Sequence, residues 1–263
     1  MSSKPLSTPE STPISNATIA VQMAHRTFRS FTDERLTDAE LTTLFEVARH
    51  TATTAFLQQF TIIHVTDPAI RHQVYQASGQ PYVDGPNGDL FVFIVDLYRN
   101  SRIREEGGVD LEPLSRTNLF IEAMNDTLLA AQNMVIAAES MGLGTVYLGS
   151  INQDPRLVIR ALNLPKFTYP LVGLIVGHPN EEPQYKPRLP ISITTATNTY
   201  PEVASYQDAL REYDETVRQY YDLRDTNKRV DSFTHHIQHA LGMGVSERSP
   251  MLEILHEQGL VLR

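Results

Sequence analysis

The spacing of apolar residues predicts two amphipathic helices. Over 38–50 and 114–141, apolar residues recur three and four positions apart, which is the period of a helix that buries one face. Two further helices, over 67–77 and about 154–164, are predicted from the Asp-Pro pair that opens each of them. The stretch 114–141 would form a helix about 40 Å long, and so large an apolar face indicates an interface between subunits.

Continuous apolar or β-branched runs of strand length predict the sheet. They lie at 60–66, 90–96, 144–148 and 171–177. Polar amphipathic helices are expected nearer the C-terminus, over 203–223, 231–241 and 249–258. Strands and helices do not alternate regularly, so the pattern predicts an α+β fold with a mainly antiparallel central sheet flanked by helices.

Composition excludes several classes of site and partner. The 263 residues suffice for a single domain, expected over 16–263, after a Ser-, Thr- and Pro-rich arm at 1–15 that we expect to be mobile. A formal net charge of −9 argues against a nucleic-acid partner, and no apolar stretch is long enough for a membrane helix. The absence of cysteine excludes disulfides, thiol nucleophiles and cysteine-bound metals. Without a secretory leader at its start, the sequence favours the cytoplasm.

Two motifs that suggest chemistry have simpler explanations. Residues 142–147 (GLGTVY) begin like a dinucleotide-binding loop, but they follow a predicted helix and lack the final small residue, which favours a helix end that runs into a strand. His235 and His239 share a helix face without a third ligand, which favours a solvated surface over a zinc site. Phosphate-binding loops, nucleophile elbows and HExxH motifs are lacking, so hydrolysis and phosphoryl transfer have no support.

Four short polar clusters point instead to a flat ligand that carries a phosphate. Residues 25–29 (HRTFR) combine two arginines with a threonine, and together these side chains can bind one anion. Residues 51–54 (TATT) follow a helix end, and 147–150 (YLGS) end a buried strand beside a glycine that allows close approach to the backbone. Lys186 and Arg188 form a pair of cations around a proline.

At these clusters the sequence resembles the nitroreductase/flavin reductase family, in particular its NADPH-using, oxygen-insensitive branch. The resemblance covers residues 21–263 and rests on an ordered series of motifs. They are HRTFRSFT at 25–32, ARHTATTAFLQ at 48–58, AAESMGLG at 137–144, YLG at 147–149 and KPRLP at 186–190. Each motif is short, but their order and spacing make the series specific.

The resemblance implies an interwoven homodimer with a nitroreductase-like fold, bound FMN and NADPH as cosubstrate. It implies that the FMN phosphate is held by His25, Arg26, Thr27 and Arg188. The ribityl chain and the N1–C2=O edge of the ring would face Arg29 and Lys186. The polar ring edge would meet Thr53, Thr54 and Gln80, and the backbone along the ring would come from Leu148, Gly149 and Ser150. The 2′-phosphate of NADPH would meet Arg224 and Arg229.

The implied activity is a two-electron, ping-pong reduction of nitroaromatics, quinones or flavins, in which hydride passes through N5 of FMN and no side chain acts as a catalyst. Two alternatives remain: a flavin reductase that supplies reduced FMN to a partner, and a flavin-binding protein without turnover. The chain departs from the family pattern in its Thr-rich loop, at Ser150 and at Asp225, whose charge lies beside Arg224. NADH therefore stays an alternative cosubstrate, while a metal is not expected.

Overall fold

The structure is a computed structural model that describes residues 13–224, 232–240 and 249–263, with side chains left out at 221–224 and 240. Residues 1–12 of the expected arm lie outside this part. The described residues group into two compact units. One comprises Val21–Pro183 and Pro250–Arg263, and the other comprises the residues before Val21 and Gln184–Ser249. Within the described ranges, no helix is both long enough and apolar enough to cross a membrane.

A four-stranded antiparallel sheet forms the centre of the first unit, in the order β1-β2-β4-β3. Its strands are β1 (Phe60–Val65), β2 (Asp89–Asp96), β3 (Gly144–Leu148) and β4 (Thr168–Gly177). Every residue of β2 is buried, as the unbroken apolar run predicted. The structure therefore confirms the α+β fold with an antiparallel sheet.

Helices cover both faces of this sheet. They are α2 (Asp38–Arg49), α3 (Pro68–Ser78), α5 (Thr117–Ser140), α6 (Pro155–Ala161) and, near the C-terminus, α11 (Met251–Glu257). Two other helices are α1 (Ala17–Met23), which has no buried residue, and α4 (Tyr98–Glu106), in which only Ser101 is buried. A capping box and two Asp-Pro pairs set the beginnings of three of these helices: Thr37 accepts from the Glu40 N–H at the start of α2, and Asp67 and Asp154 cap α3 and α6. The longest helix has 24 residues rather than the expected 28, because extended backbone at Arg116 separates it from a 3₁₀ turn at Glu112–Ser115.

Alternate side chains of β2 build two separate cores. Phe91 and Phe93 pack on one face with the small residues of α5, of which Ala130 and Ala131 are fully buried. Residues of the opposite parity, such as Val92, pack with α3 and α6 on the other face. The alanines of α5 bring its backbone close to the sheet, as expected from the sequence.

A buried carboxylate marks the start of β2. Asp89 Oδ1 lies 2.8 Å from His64 Nε2 and 2.6 Å from a nitrogen of Arg35, and Oδ2 accepts the Leu36 N–H at 3.3 Å. Burial by itself raises the pKa of Asp89, but the hydrogen bonds from His64 and Leu36 and the charge of Arg35 together hold it below its ordinary value. Asp89 therefore stabilises the fold in its ionised form.

Short helices make up the second unit. They are α7 (Ile191–Thr194), α8 (Tyr206–Ala209), α9 (Arg211–Arg224) and α10 (Phe233–Ala240). The helix expected over 203–223 is divided, since α8 ends at a cap on Leu210 and α9 follows. Asp214 accepts hydrogen bonds from the Thr234 N–H at 2.9 Å and the Thr234 hydroxyl at 2.5 Å, and so joins α9 to the start of α10.

Candidate functional site

The segment 25–29 lies along the edge strand β3. Thr27 forms a parallel bridge to Thr145, and the Phe28 N–H donates to the Thr145 carbonyl at 2.9 Å. Gly144 makes this approach possible, because a Cβ there would lie 2.7 Å from Cγ of Phe28. The cationic segment is thus held beside the first residues of β3.

A carboxylate on α5 meets this segment from the helix side. Oε1 of Glu139 lies 2.6 Å from Nδ1 of His25 and accepts the Thr145 hydroxyl at 3.0 Å. Glu139 lies in the last turn of α5, and its side chain is only 11% exposed. Burial, assisted by the Glu139 charge, raises the pKa of the neighbouring Tyr147 hydroxyl above its ordinary range, so this phenol stays neutral.

A second carboxylate, that of Glu181, fixes the backbone of the segment that carries the two arginines. Glu181 accepts hydrogen bonds from the N–H groups of Arg29 and Ser30, the second at 2.9 Å. Arg26 is half-buried and donates to the Ala24 carbonyl at 2.9 Å, whereas Arg29 is exposed. The main chain is therefore held at its far end while both guanidinium groups lie near the surface.

The end of β3 leaves its backbone open. Leu148 is buried, but a Cβ added at Gly149 would meet no atom within 4 Å. The chain then turns through the 3₁₀ helix Gly149–Gln153, which includes Ser150. Asn152 secures this turn by donating to the Leu171 carbonyl at 2.9 Å. Space beside Gly149 thus gives a flat molecule access to the main chain.

Gln80 borders the same turn. It follows Gly79, whose Cβ position would lie 3.6 Å from Oε1 of Gln153. Gln80 is half-buried, and its backbone N–H donates to the Ser78 hydroxyl at 3.3 Å. The structure therefore brings Gln80 close to the β3 turn through Gly79, whereas segment 25–29 contacts β3 at Thr145, near the start of the strand.

Thr53 and Thr54 lie in a different place. The Thr54 N–H donates to Oδ1 of Asp126 at 2.8 Å, and the Gln59 N–H reaches Oδ2 at 3.4 Å. Asp126 and Glu139 are 13 residues apart on α5, which amounts to about 20 Å along the helix and about 140° around it. Within one chain, the loop 51–59 and the segment 25–29 are therefore anchored far apart.

The backbone of this loop is strained. Ala55, Phe56 and Gln58 have φ values of 49°, 61° and 50°, in the left-handed region that residues with a side chain seldom adopt. Phe56 is 83% exposed, whereas Gln59 is fully buried and its side-chain amide has no protein partner among the described residues. The loop thus presents one aromatic ring outward and buries one amide.

The remaining candidate residues belong to the second unit. Arg188 donates to the Lys186 carbonyl at 2.5 Å and lies 5.7 Å from the centre of the Tyr185 ring. Both cations are exposed. The side chain of Arg224 and all of Arg229 lie outside the described residues, so their predicted contact with the 2′-phosphate stays a prediction.

Residues 142–147 have the structure that was favoured for them. Gly142 follows the end of α5 with φ of +81°, and β3 begins at Gly144, so residues 142–147 are a helix end and a strand. The rings of His235 and His239 lie on α10 with their centres 4.0 Å apart and their planes inclined by 32°; His239 is exposed and His235 is half-buried. In the described part of the chain, no three His, Asp or Glu side chains could hold a metal ion together.

Sequence reasoning missed the carboxylates that fix these segments. Glu139 is part of the AAESMGLG motif, and Asp126 interrupts an apolar helix face, yet neither was given a role. A buried acid on an otherwise apolar face is the available signal, because such a group requires a donor nearby. Glu181 lies in a polar loop and gives no comparable signal.

Comparison with known proteins assigns both parts of the chain to one family. Residues 23–178 match the model described as "Nitroreductase family", and residues 186–263 match "Nitroreductase family, C-terminal domain". An "FMN reductase (NADPH)" of Bacillus subtilis is 40% identical over 225 residues, which cover 84% of this chain and 90% of that protein. An "NADPH-dependent oxidoreductase" of Staphylococcus saprophyticus is 38% identical, with coverage of 90% and 95%.

Solved structures agree with this assignment. The NfrA1 nitroreductase of B. subtilis superposes with a TM-score of 0.86 at 37% identity, covering 94% of this chain and 100% of that one. An NADPH:FMN oxidoreductase of Vibrio harveyi, complexed with NAD+, gives a TM-score of 0.83 at 31% identity, with coverage of 94% and 100%. The likeness therefore extends over nearly the whole chain.

Proposed function

Because the chain belongs to the nitroreductase family, we propose that it is an NADPH-dependent FMN oxidoreductase that reduces nitroaromatics, quinones or flavins. The names of its relatives support FMN and NADPH as the two cofactors. The observation that carries the proposal is the strand end of β3. A cationic segment lies along this strand at Thr145, and an open backbone glycine, Gly149, follows the strand's last residue.

The residues along β3 fit FMN. A phosphate requires several donors and positive charge, which His25, Arg26 and Thr27 supply from consecutive positions. An isoalloxazine ring requires flat access to backbone N–H groups, and the empty space at Gly149 provides it. The other contacts implied by the resemblance, from Arg29, Thr53, Thr54, Gln80, Leu148, Ser150, Lys186 and Arg188, belong to the same proposal.

Bound FMN supplies the redox chemistry, since its ring accepts hydride from a nicotinamide and passes it to an acceptor. The role of the protein is to bind and orient the flavin and to exclude water from its ring. Arg29 and Lys186 are proposed to stabilise the negative charge that reduction places at the N1–C2=O edge of the ring. Leu148 keeps the strand end dry, because its side chain is buried against Gly173.

A homodimer explains why the candidate contacts with FMN come from two loops that are held by different carboxylates of α5. Asp126 and Glu139 hold their loops about 20 Å apart, and a flavin contacted by both loops requires the loop 51–59 of a second copy. The outer face of α5 supports such an interface, because Ile121, Leu128 and Leu129 are 43–50% exposed. The small-molecule acceptor would then bind at the open ring face between the subunits. NADPH and FMN are intracellular metabolites, which supports the cytoplasm as the place of action.

Absorbance spectroscopy of the purified protein tests the proposed function. We expect a yellow protein that is bleached by NADPH without oxygen and regains its colour when a nitroaromatic compound or a quinone is added. Faster recovery with free FMN than with either would identify a flavin reductase. A yellow protein that neither nicotinamide bleaches would be a flavin-binding protein without turnover, and a colourless protein that binds no added FMN would refute the proposal.

A further inference from the structure

Glu139 and His25 form a pair whose purpose the contacts to FMN alone do not explain. We propose that Glu139 is a positioning residue: it fixes a hydrogen on Nδ1 of His25 and so directs Nε2 of that ring toward the FMN phosphate. The inference rests on the proposed function, because it takes FMN as the ligand. It assigns a role to a residue that never touches the flavin.

The geometry defines the role of each group. An ionised carboxylate only accepts hydrogen bonds, so the 2.6 Å contact with Glu139 requires a hydrogen on Nδ1 of His25. The Thr145 hydroxyl donates to the same oxygen, Oε1, at 3.0 Å and thereby orients the carboxylate. His25 and Glu139 are 114 positions apart in the chain, so the pair is a product of the fold rather than of local sequence.

The other edge of the imidazole ring remains available. Nε2 of His25 makes no hydrogen bond to any residue in the described part of the chain, and 34% of the His25 side chain is exposed. Nδ1 and Nε2 lie on different edges of the ring, so a ring held at Nδ1 presents Nε2 away from Glu139. The pair is thus a fixed donor with one nitrogen facing the protein and the other facing solvent.

Charge explains why a carboxylate at this position helps to bind an anion. Glu139 lies in the last turn of α5, where the helix dipole disfavours a negative charge and no Lys or Arg of the helix compensates it. Carboxylate and phosphate oxygens both accept hydrogen bonds, so the proposed complex requires a hydrogen on each ring nitrogen of His25. Arg26 follows His25 directly, and Tyr147 stays neutral, so no second anion of β3 competes.

Flavin titration of the full-length apoprotein tests the proposal, because riboflavin lacks the phosphate. We expect Glu139→Gln to weaken FMN binding about 10-fold, as loss of one charge-assisted hydrogen bond would do, and to change riboflavin binding less than twofold. Glu122→Gln, on the same helix and without a hydrogen bond in the described structure, is the matched control and should bind both flavins as wild type does. In a His25→Ala background, Glu139→Gln should have no further effect on FMN.

Each other result has a defined meaning. Unchanged FMN affinity in Glu139→Gln, equal losses for FMN and riboflavin, or a full loss that persists without His25 would each overturn the positioning role. Failure of the wild-type protein to bind FMN would instead overturn the proposed function. Should Glu139→Gln not fold, nitrogen-15 NMR of histidine-labelled wild type decides, with His25 assigned from the His25→Ala spectrum: a hydrogen on Nδ1 supports the role, and a bare Nδ1 in the FMN-loaded protein overturns it.

Discussion

Asp126 ties the strained loop 51–59 to the middle of α5, and its removal is expected to release that loop. The carboxylate is 1% exposed and accepts the Thr54 N–H at 2.8 Å and the Gln59 N–H at 3.4 Å. One short charge-assisted hydrogen bond in a buried position contributes about 1.5–3 kcal/mol, and the longer one adds little. We therefore expect Asp126→Ala to destabilise the closed loop by about 2 kcal/mol.

Backbone strain in the loop 51–59 determines which part of the structure changes when Asp126 is removed. Ala55, Phe56 and Gln58 each have positive φ, and a residue with a side chain in that region costs about 1 kcal/mol. The strain in the loop is then about 3 kcal/mol, comparable to the stabilisation that Asp126 provides. Without Asp126 the loop should relax to ordinary backbone angles while the sheet stays folded.

Hydrogen–deuterium exchange with mass spectrometry measures this opening directly. In Asp126→Ala, amides of the peptide 51–59 should exchange about 30-fold faster, the factor that corresponds to about 2 kcal/mol of local stability. Asp126→Asn keeps one oxygen acceptor and should give a smaller increase. Ala55→Gly relieves strain at one residue and should slow exchange or leave it unchanged.

The same experiment contains its own controls. Glu122→Gln changes a charge one turn earlier on α5 and should leave the peptide 51–59 as in wild type. The reasoning would be refuted if Asp126→Ala left this peptide unchanged. It would also be refuted if peptides of β2 accelerated equally, because the aspartate would then support the whole fold rather than the loop.

Four further outcomes are expected. Arg26→Ala should purify largely without FMN while keeping its circular dichroism spectrum; full flavin occupancy would contradict the assignment. Asp89→Asn should make the free energy of unfolding depend less on pH, as measured by urea unfolding between pH 7 and 3. The pKa of Asp89 is lowered in the folded state, so its carboxylate contributes stability above the unfolded pKa of about 4, and this stability is lost as the pH falls through the folded-state pKa. Leu129→Glu should shift a dimer toward monomer in sedimentation velocity, and an unchanged dimer would place the interface elsewhere. Arg224→Ala combined with Arg229→Ala should raise KM for NADPH about 5- to 150-fold and leave KM for NADH unchanged; equal changes for both would assign these arginines to the surface.

The sheet and the longer helices could be predicted because each has a local signal. The apolar run of β2 specifies burial on both faces, and the capping box at Thr37 specifies the start of α2. By contrast, α4 has no apolar face, and its only large aliphatic residue, Ile103, is 63% exposed. It is held by Arg99, whose guanidinium donates to the carbonyls of Gln58 and Phe60. Such tertiary contacts produce no periodic pattern of apolar residues, so the sequence does not predict α4.

The candidate site was predictable only as a set of residue types. Clustered cations and hydroxyl groups are visible in the sequence, and the family resemblance orders them. The contact of segment 25–29 with β3 depends on a bridge between Thr27 and Thr145, which are 118 positions apart, and no local rule predicts that pairing. Helix α1 shows the same limit, because none of its residues is buried and the pattern therefore has no apolar face to reveal.

Helix α5 contains both residues whose packing the sequence pattern predicts and residues whose contacts it does not predict. Its alanines pack against the sheet and are visible as an apolar pattern, whereas Asp126 and Glu139 interrupt that pattern and reach away from it to two separate loops. A buried carboxylate is costly unless donors meet it, so each one requires its loop to close on the helix. On α5, a carboxylate that replaces an apolar residue therefore fixes the conformation of a loop against the core of the protein. In this chain, both lead to segments for which FMN contacts are proposed.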